Sequence, residues 1–229
     1  MTLSTRLRGL FHFTTFCTSW IIWLSKRIIV RAYQPWNPMR KTAIIIHGAP
    51  NADECFDGRV PSPSNHHWLP WLQKQLIVRG YDAHTPEIPN PYEPHYPTWK
   101  REFERYDINE ESVLVGHSCG AGFLVRWLCD HPHVSVGKVA LVAPWIDLER
   151  SRTTEFFNFH LDPEFPTRTK GTALFNSDND GPNIHTSVER IMSTVHHIQY
   201  REFHNYGHFC VEDTGTDEFP ELLEFVTTH

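Results

Sequence analysis

Residues 112–130 run from an apolar strand pattern through a glycine-bracketed turn into an apolar helical pattern, and this passage constrains the fold more than any other. Residues 112–115 (SVLV) are short and apolar, as a strand buried on both faces is. Gly116-His117-Ser118-Cys119-Gly120 has the form G-x-S-x-G, and residues 121–130 continue as a helix that Pro132 stops. A serine on such a tight strand-to-helix turn has strained dihedrals and projects its oxygen outward. The helix that follows turns its first N–H groups toward the same place, where they favour developing negative charge. Ser118 is therefore the candidate nucleophile. Cys119 is expected to be buried and inert as a thiol, with only its backbone N–H facing the reacting centre.

The rest of the chain from Lys41 onward alternates strand and helix. Residues 42–47 (TAIIIH), 81–85, 112–115, 138–142, 172–176 and 198–203 read as strands. Residues 68–79, 98–106, 121–130 and 188–193, and a segment after Pro220, read as helices, with Thr98 as an N-cap. Residues 49–64 and 86–97 read as loops, and residues 144–170 as irregular. Such alternation predicts an α/β protein with a mostly parallel sheet of five or six strands and helices on both faces.

A serine hydroxyl needs a base, and the base needs an orienting carboxylate. On a strand–turn–helix nucleophile these follow in the order acid, then histidine. The strand at 172–176 ends in Ser177-Asp178-Asn179-Asp180-Gly181-Pro182, just where active-site groups of open parallel sheets lie. Asp180 is the candidate acid, because a turn after the strand returns it across the sheet edge, with Asp178 as the alternative. His208 in Asn205-Tyr206-Gly207-His208-Phe209 is the candidate base, and His204 is its near competitor. Two backbone N–H groups are needed for the oxyanion. Cys119 supplies one and Ala49, in His47-Gly48-Ala49-Pro50, the other; Pro50 cannot donate.

Composition excludes several other functions. The 229 residues suffice for one sizeable core. Residues 1–41 carry seven Lys and Arg and no acid, so the remainder holds 14 basic against 27 acidic side chains, a net charge of −13. An acidic body is unsuited to nucleic acid. The five cysteines are scattered with no CxxC, which fits reduced thiols and a cytoplasmic protein. The sixteen histidines show no compact zinc spacing. The His66-His67 and His196-His197 pairs read as surface or helix-end residues, and no metal or cofactor is expected. Residues 1–40 form a basic leader that stands apart from the α/β body at 41–229. It reads as a mitochondrial presequence, a peripheral membrane anchor or a start assigned upstream of Met39, and membrane contact is expected only through residues 1–38.

The chain resembles the α/β-hydrolase superfamily. Within it the chain is similar to the small serine-hydrolase family that includes retinoblastoma-binding protein 9 and bacterial YdeN-type proteins. The resemblance rests on the first strand with its glycine loop, Trp68-Leu69-Pro70-Trp71-Leu72, Gly116 through Ala121, Ser177 through Asp180, and Gly207-His208-Phe209 followed by Phe219-Pro220-Glu221-Leu222-Leu223. It covers about residues 41–228 and implies a minimal α/β-hydrolase fold with a Ser118, Asp180 and His208 triad. The family's Ser-x-x-Asp pattern, Ser177 to Asp180 here, favours Asp180 over Asp178. Gly181 departs from the proline that the family places after the aspartate, and His47-Gly48-Ala49-Pro50 is closer to the first loop of general esterases. The expected activity is cleavage of a small carboxylic ester, thioester or amide through an acyl-enzyme. A hydrolase fold serving as a protein-interaction module is the alternative. Trp145, Phe156, Phe157 and Phe159 are candidates either for an acyl pocket or for packing.

Overall fold

The computed structural model describes residues 41–153 and 155–228; the leader and the readings placed on it lie outside the described residues. Six strands form one sheet: β1 (Thr42–Ile46), β2 (Asp82–His84), β3 (Val113–His117), β4 (Val136–Val142), β5 (Thr169–Ser177) and β6 (Ile198–Phe203). Their order across the sheet is β2-β1-β3-β4-β5-β6, and every adjacent pair is parallel. The sequence suggested a mostly parallel sheet, and among the described residues it is wholly so.

Burial explains why these segments are strands. Every residue of β1 and β3 is buried, and so is nearly all of β4. Only a strand with helices over both faces buries both of its sides, and β-branched side chains such as Ile44, Ile45 and Val115 suit that setting. The helices are α1 (Ala52–Phe56), α2 (Leu69–Val78), α3 (Tyr96–Phe103), α4 (Cys119–Asp130), α5 (Pro182–Thr194), α6 (Val211–Thr214) and α7 (Pro220–Thr227). α2 packs on β1, β2 and α7, while α3 packs on α4, which in turn lies on β3 and β4.

Three local expectations are revised, and one open choice is resolved. α3 begins at Tyr96, not at an N-cap on Thr98, because Pro97 fits the first helical turn; the Thr98 hydroxyl instead pairs with His95 Nδ1 at 2.9 Å. α5 begins six residues before Val188: Pro182 opens it, and Ile184, Val188 and Ile191 form its buried stripe. Asn183, His185 and Thr186 hide that stripe in the sequence. The segment 49–64 contains α1, capped by the Asn51 side chain on the Glu54 N–H at 2.8 Å. Trp145, Phe156 and Phe157 are buried against α3 and α4, where Phe156 lies edge-on to Trp99 at 5.2 Å. Phe159 also packs on the core, and none of the four lines the cleft that holds Ser118.

The chain steps from β1 outward to β2 and then back to β3 on the other side of β1. The direction of winding thus reverses between β1 and β3, and a crevice opens outside the C-terminal ends of strands at such a point. The Gly48 loop follows β1 there, and Ser118 follows β3.

Candidate active site

Ser118 has φ +54° and ψ −119°, a conformation that a residue with a Cβ adopts only under constraint. Its backbone shows the constraint. The Ser118 N–H donates to Val142 O at 2.9 Å, and its carbonyl accepts from Gly122 and Trp145 N–H, each at 3.1 Å. The strained residue is thus tied to β4, to its own helix and to the segment after β4. A Cβ on Gly120 would lie 2.4 Å from the carbonyl oxygens of Ile46 and His47, so only glycine lets the turn press against the end of β1. Cys119 is fully buried and its thiol pKa is driven up by that burial, as expected for an inert thiol.

Two Asp–His pairs stand after β5 and β6. His208 Nδ1 lies 2.9 Å from Asp180 Oδ2 and 3.1 Å from Oδ1. The two competitors from the sequence pair with one another instead: Asp178 bonds His204 and accepts the Asn205 N–H at 2.9 Å. Asp178 faces a separate cleft beside α5 and β6, with Tyr200 and Glu202, whereas His208 lines the cleft of Ser118.

The loops that carry Asp180 and His208 are stitched together. Asn179 Oδ1 accepts from the Ser177 hydroxyl at 2.7 Å and from the Gly207 N–H at 2.8 Å, and the Tyr206 N–H donates to Ser177 Oγ at 2.9 Å. The His208 N–H donates to Asp213 Oδ2 at 2.8 Å, and its carbonyl accepts from His117 Nε2 at 2.8 Å. Asn179, Asp213 and His117 were not singled out in the sequence. Their roles depend on loops that meet only in the fold. No hydrogen bond joins Ser118 Oγ to His208 among the described residues, although both line one cleft.

The loop after β1 is held from both sides. His47 is buried, and burial lowers its pKa against the opposing pull of the Gly48 carbonyl and Glu87, so the ring is neutral. Its Nδ1–H donates to Gly48 O at 2.7 Å, and its Nε2 accepts the Ile88 N–H at 3.0 Å. Gly48 O and the Ala49 N–H belong to one peptide unit and point opposite ways. By holding the carbonyl, His47 therefore sets the direction of the Ala49 N–H. Arg152 donates to Ala49 O at 3.4 Å and Pro50 O at 3.1 Å from outside. Neither the Ala49 nor the Cys119 N–H has an acceptor among the described residues.

The cleft encloses about 620 Å³ of atom-free space, part of it open solvent. Its walls include Pro50, Glu54, Cys55, Pro63, Leu69 and Cys210, with His66, His67 and His117 beside His208. The His66-His67 pair is thus a cleft wall rather than a surface pair. Its position follows from the packing of the segment before α2, which the sequence does not reveal. His117 is buried, and burial together with the neighbouring His208 and His67 pushes its pKa well below the ordinary histidine range. Burial and His66 hold His67 down at about 4.

A family model described as serine hydrolase matches residues 58–228. The ydeN gene product of B. subtilis is 25% identical, with 82% of this chain and 97% of that one covered and a TM-score of 0.65. A YdeN-like hydrolase from Pectobacterium atrosepticum is 17% identical over 81% of this chain and 90% of that one, with a TM-score of 0.53. A serine hydrolase involved in carbazole degradation, the CarC enzyme, is 14% identical over 82% and 91%, with a TM-score of 0.52. The last two likenesses concern the fold. No curated protein matches the chain.

Proposed function

The chain belongs to the serine hydrolase family, and from that premise we propose that Ser118, His208 and Asp180 form the triad of an enzyme that cleaves small carboxylic esters through an acyl-enzyme. The observation that carries the reading is the His208–Asp180 pair at 2.9 Å, in the cleft that also holds a strained, externally braced serine.

The chemistry follows from the geometry. Asp180 accepts from Nδ1–H of His208 and leaves Nε2 as the free, basic nitrogen. Nε2 takes the Ser118 proton as Oγ attacks the carbonyl carbon. The Ala49 and Cys119 N–H groups receive the oxyanion, and neither has an acceptor among the described residues. His208 then protonates the leaving alcohol, and in the second half-reaction it activates water against the acyl-enzyme. Asp180 stabilises the transient imidazolium. His208 must close on Ser118 for this, a tightening that acid–base contacts commonly undergo when substrate binds. A concave cleft that holds both Ser118 and His208 supports a small-molecule substrate. The hydrolase unit is residues 41–229, with residues 1–40 outside it.

The test is labelling with a fluorophosphonate probe, with Ser118→Ala as control. Covalent labelling of the wild type and none of the variant supports the reading. A folded wild type that fails to label removes it and favours a hydrolase fold acting as an interaction module.

A further inference from the structure

The histidine pair on the cleft wall takes no part in the steps assigned to Ser118 and His208. His66 is extended, at φ −114° and ψ 162°, whereas His67 has φ +54°. Neighbouring side chains of extended backbone point to opposite sides. The left-handed conformation of His67 brings both imidazoles to one side, where they stack with centroids 3.8 Å apart and planes 18° from parallel. A histidine held in that region is a local strain that its surroundings must offset, and such strain gathers at binding and catalytic sites.

Glu212 of α6 faces both rings. Its Oε1 lies 3.6 Å from His66 Nε2 and its Oε2 lies 3.7 Å from His67 Nδ1. One ligand atom from each of the three residues lies within 4.8 Å of the other two. Zinc bonds to imidazole nitrogen and carboxylate oxygen measure about 2.0–2.2 Å, so the edge of a tetrahedral site is about 3.4 Å. Both measured separations are within a few tenths of an ångström of that edge.

We propose that His66, His67 and Glu212 bind a divalent transition-metal ion such as Zn2+ at the wall of the cleft, with a fourth position open to water. Two imidazoles and one carboxylate suit zinc and its neighbours and not Mg2+ or Ca2+, which take oxygen ligands. The stacked rings run their in-plane lone pairs side by side, so an ion turns each 15% exposed imidazole about its Cβ–Cγ bond, and the Glu212 side chain, 65% exposed, has room to swing in. His67 Nδ1 accepts the Val211 N–H at 3.2 Å. An ion at Nδ1 displaces that long neutral hydrogen bond, which is weak beside a metal–imidazole bond.

A second set of the same residue types serves as an internal control. His196 Nδ1 lies 2.6 Å from Glu164 Oε1, and His197 Nε2 lies 3.8 Å from Oε2. These rings are 6.2 Å apart on the open surface, and among the described residues their ligand atoms do not gather within 4.8 Å as those of His66, His67 and Glu212 do. The His66 site, by contrast, shares its cleft with Ser118 and His208, so an ion there narrows access to the nucleophile. That last consequence rests on the proposed function; the binding itself does not.

The experiment is calorimetric titration of Zn2+ into the full chain carrying Ser118→Ala, with circular dichroism to check folding. One ion per chain is expected, with affinity about tenfold or more weaker in Glu212→Gln and in His66→Ala, unchanged in His196→Ala, and undisturbed by Mg2+. Absence of Zn2+ binding overturns the site, as does affinity that survives both substitutions or falls only in His196→Ala. Glu212→Gln changes an exposed side chain and decides the matter alone if His66→Ala fails to fold. In the wild type, Zn2+ should slow ester turnover and a chelator should restore it. Binding without slowing overturns the effect on access alone.

Discussion

His208 Nδ1 stands 2.9 Å from Asp180 Oδ2, and the Asp180 side chain is almost wholly enclosed, at 4% exposure. In the proposed triad, an enclosed carboxylate beside Nδ1 would hold the proton on that nitrogen and leave Nε2 free as base. Asp180→Asn keeps the shape and loses the tautomer. We expect kcat to fall by about 10³–10⁴, with the fold intact by circular dichroism. Asp178→Asn, which disturbs only exposed contacts with His204 and the Asn205 N–H, should change kcat less than about threefold on the same reasoning. Equal losses in the two variants would remove Asp180 as the orienting acid.

His47 offers a test of the oxyanion loop. Its Nδ1–H holds Gly48 O at 2.7 Å and its Nε2 accepts from Ile88. Glutamine at this position can still meet Ile88 but no longer reaches the Gly48 carbonyl. His47→Gln should therefore lower kcat by about 10² with little change in KM, the signature of an interaction made in the transition state. Steady-state kinetics on a chromogenic ester checks this, and a change in KM alone would contradict it.

Buried histidines make stability depend on pH. His47 and His117 have pKa values depressed by burial, so the folded protein keeps them neutral where the unfolded chain protonates them. Their contribution is fully present above the unfolded value of about 6.5 and is lost as pH falls below it. Each adds a slope of up to about 1.4 kcal/mol per pH unit in that window. Denaturant midpoints should drop between pH 6.5 and pH 5, and His47→Gln should flatten the slope. A midpoint independent of pH over this range would refute the assignment.

Gly122 lies outside the G-x-S-x-G turn yet is as tightly enclosed. A Cβ there would stand 1.9 Å from Trp145 O and 2.8 Å from the Phe157 ring. Trp145 is also the residue whose N–H braces the Ser118 carbonyl. Gly122→Ala should destabilise the protein by about 2 kcal/mol or more, since a backbone oxygen cannot move aside as a side chain can. Chemical denaturation measures it.

The sheet and the nucleophile turn were legible because buried parallel strands are short apolar runs and the glycines punctuate them. Residues 42–46, 113–117 and 198–203 carry their burial or their edge position in local pattern alone. The pairing of His208 with Asp180 was also legible, since each follows a strand end on the same side of the sheet. The cleft walls were not. His66 and His67 look like solvated residues until the chain before α2 folds against α6. Trp145 and Phe157 read equally as pocket or as packing until α4, with glycine at position 122, admits them to the core. α5 was shortened because polar residues interrupt its apolar stripe. These failures share a cause: each depends on which distant segment comes to lie opposite.

β6 is one of the two edge strands of the sheet and pairs with β5 alone. The loop carrying His208 hangs from it, whereas Ser118 follows the central strand β3 and is tied by its N–H to Val142 of β4. Outer elements open locally at lower free energy than a central sheet. Warming or dilute denaturant should therefore detach His208 from Ser118 while the molecule still looks native. Inactivation would then precede melting, and on cooling activity would return without a refolding phase.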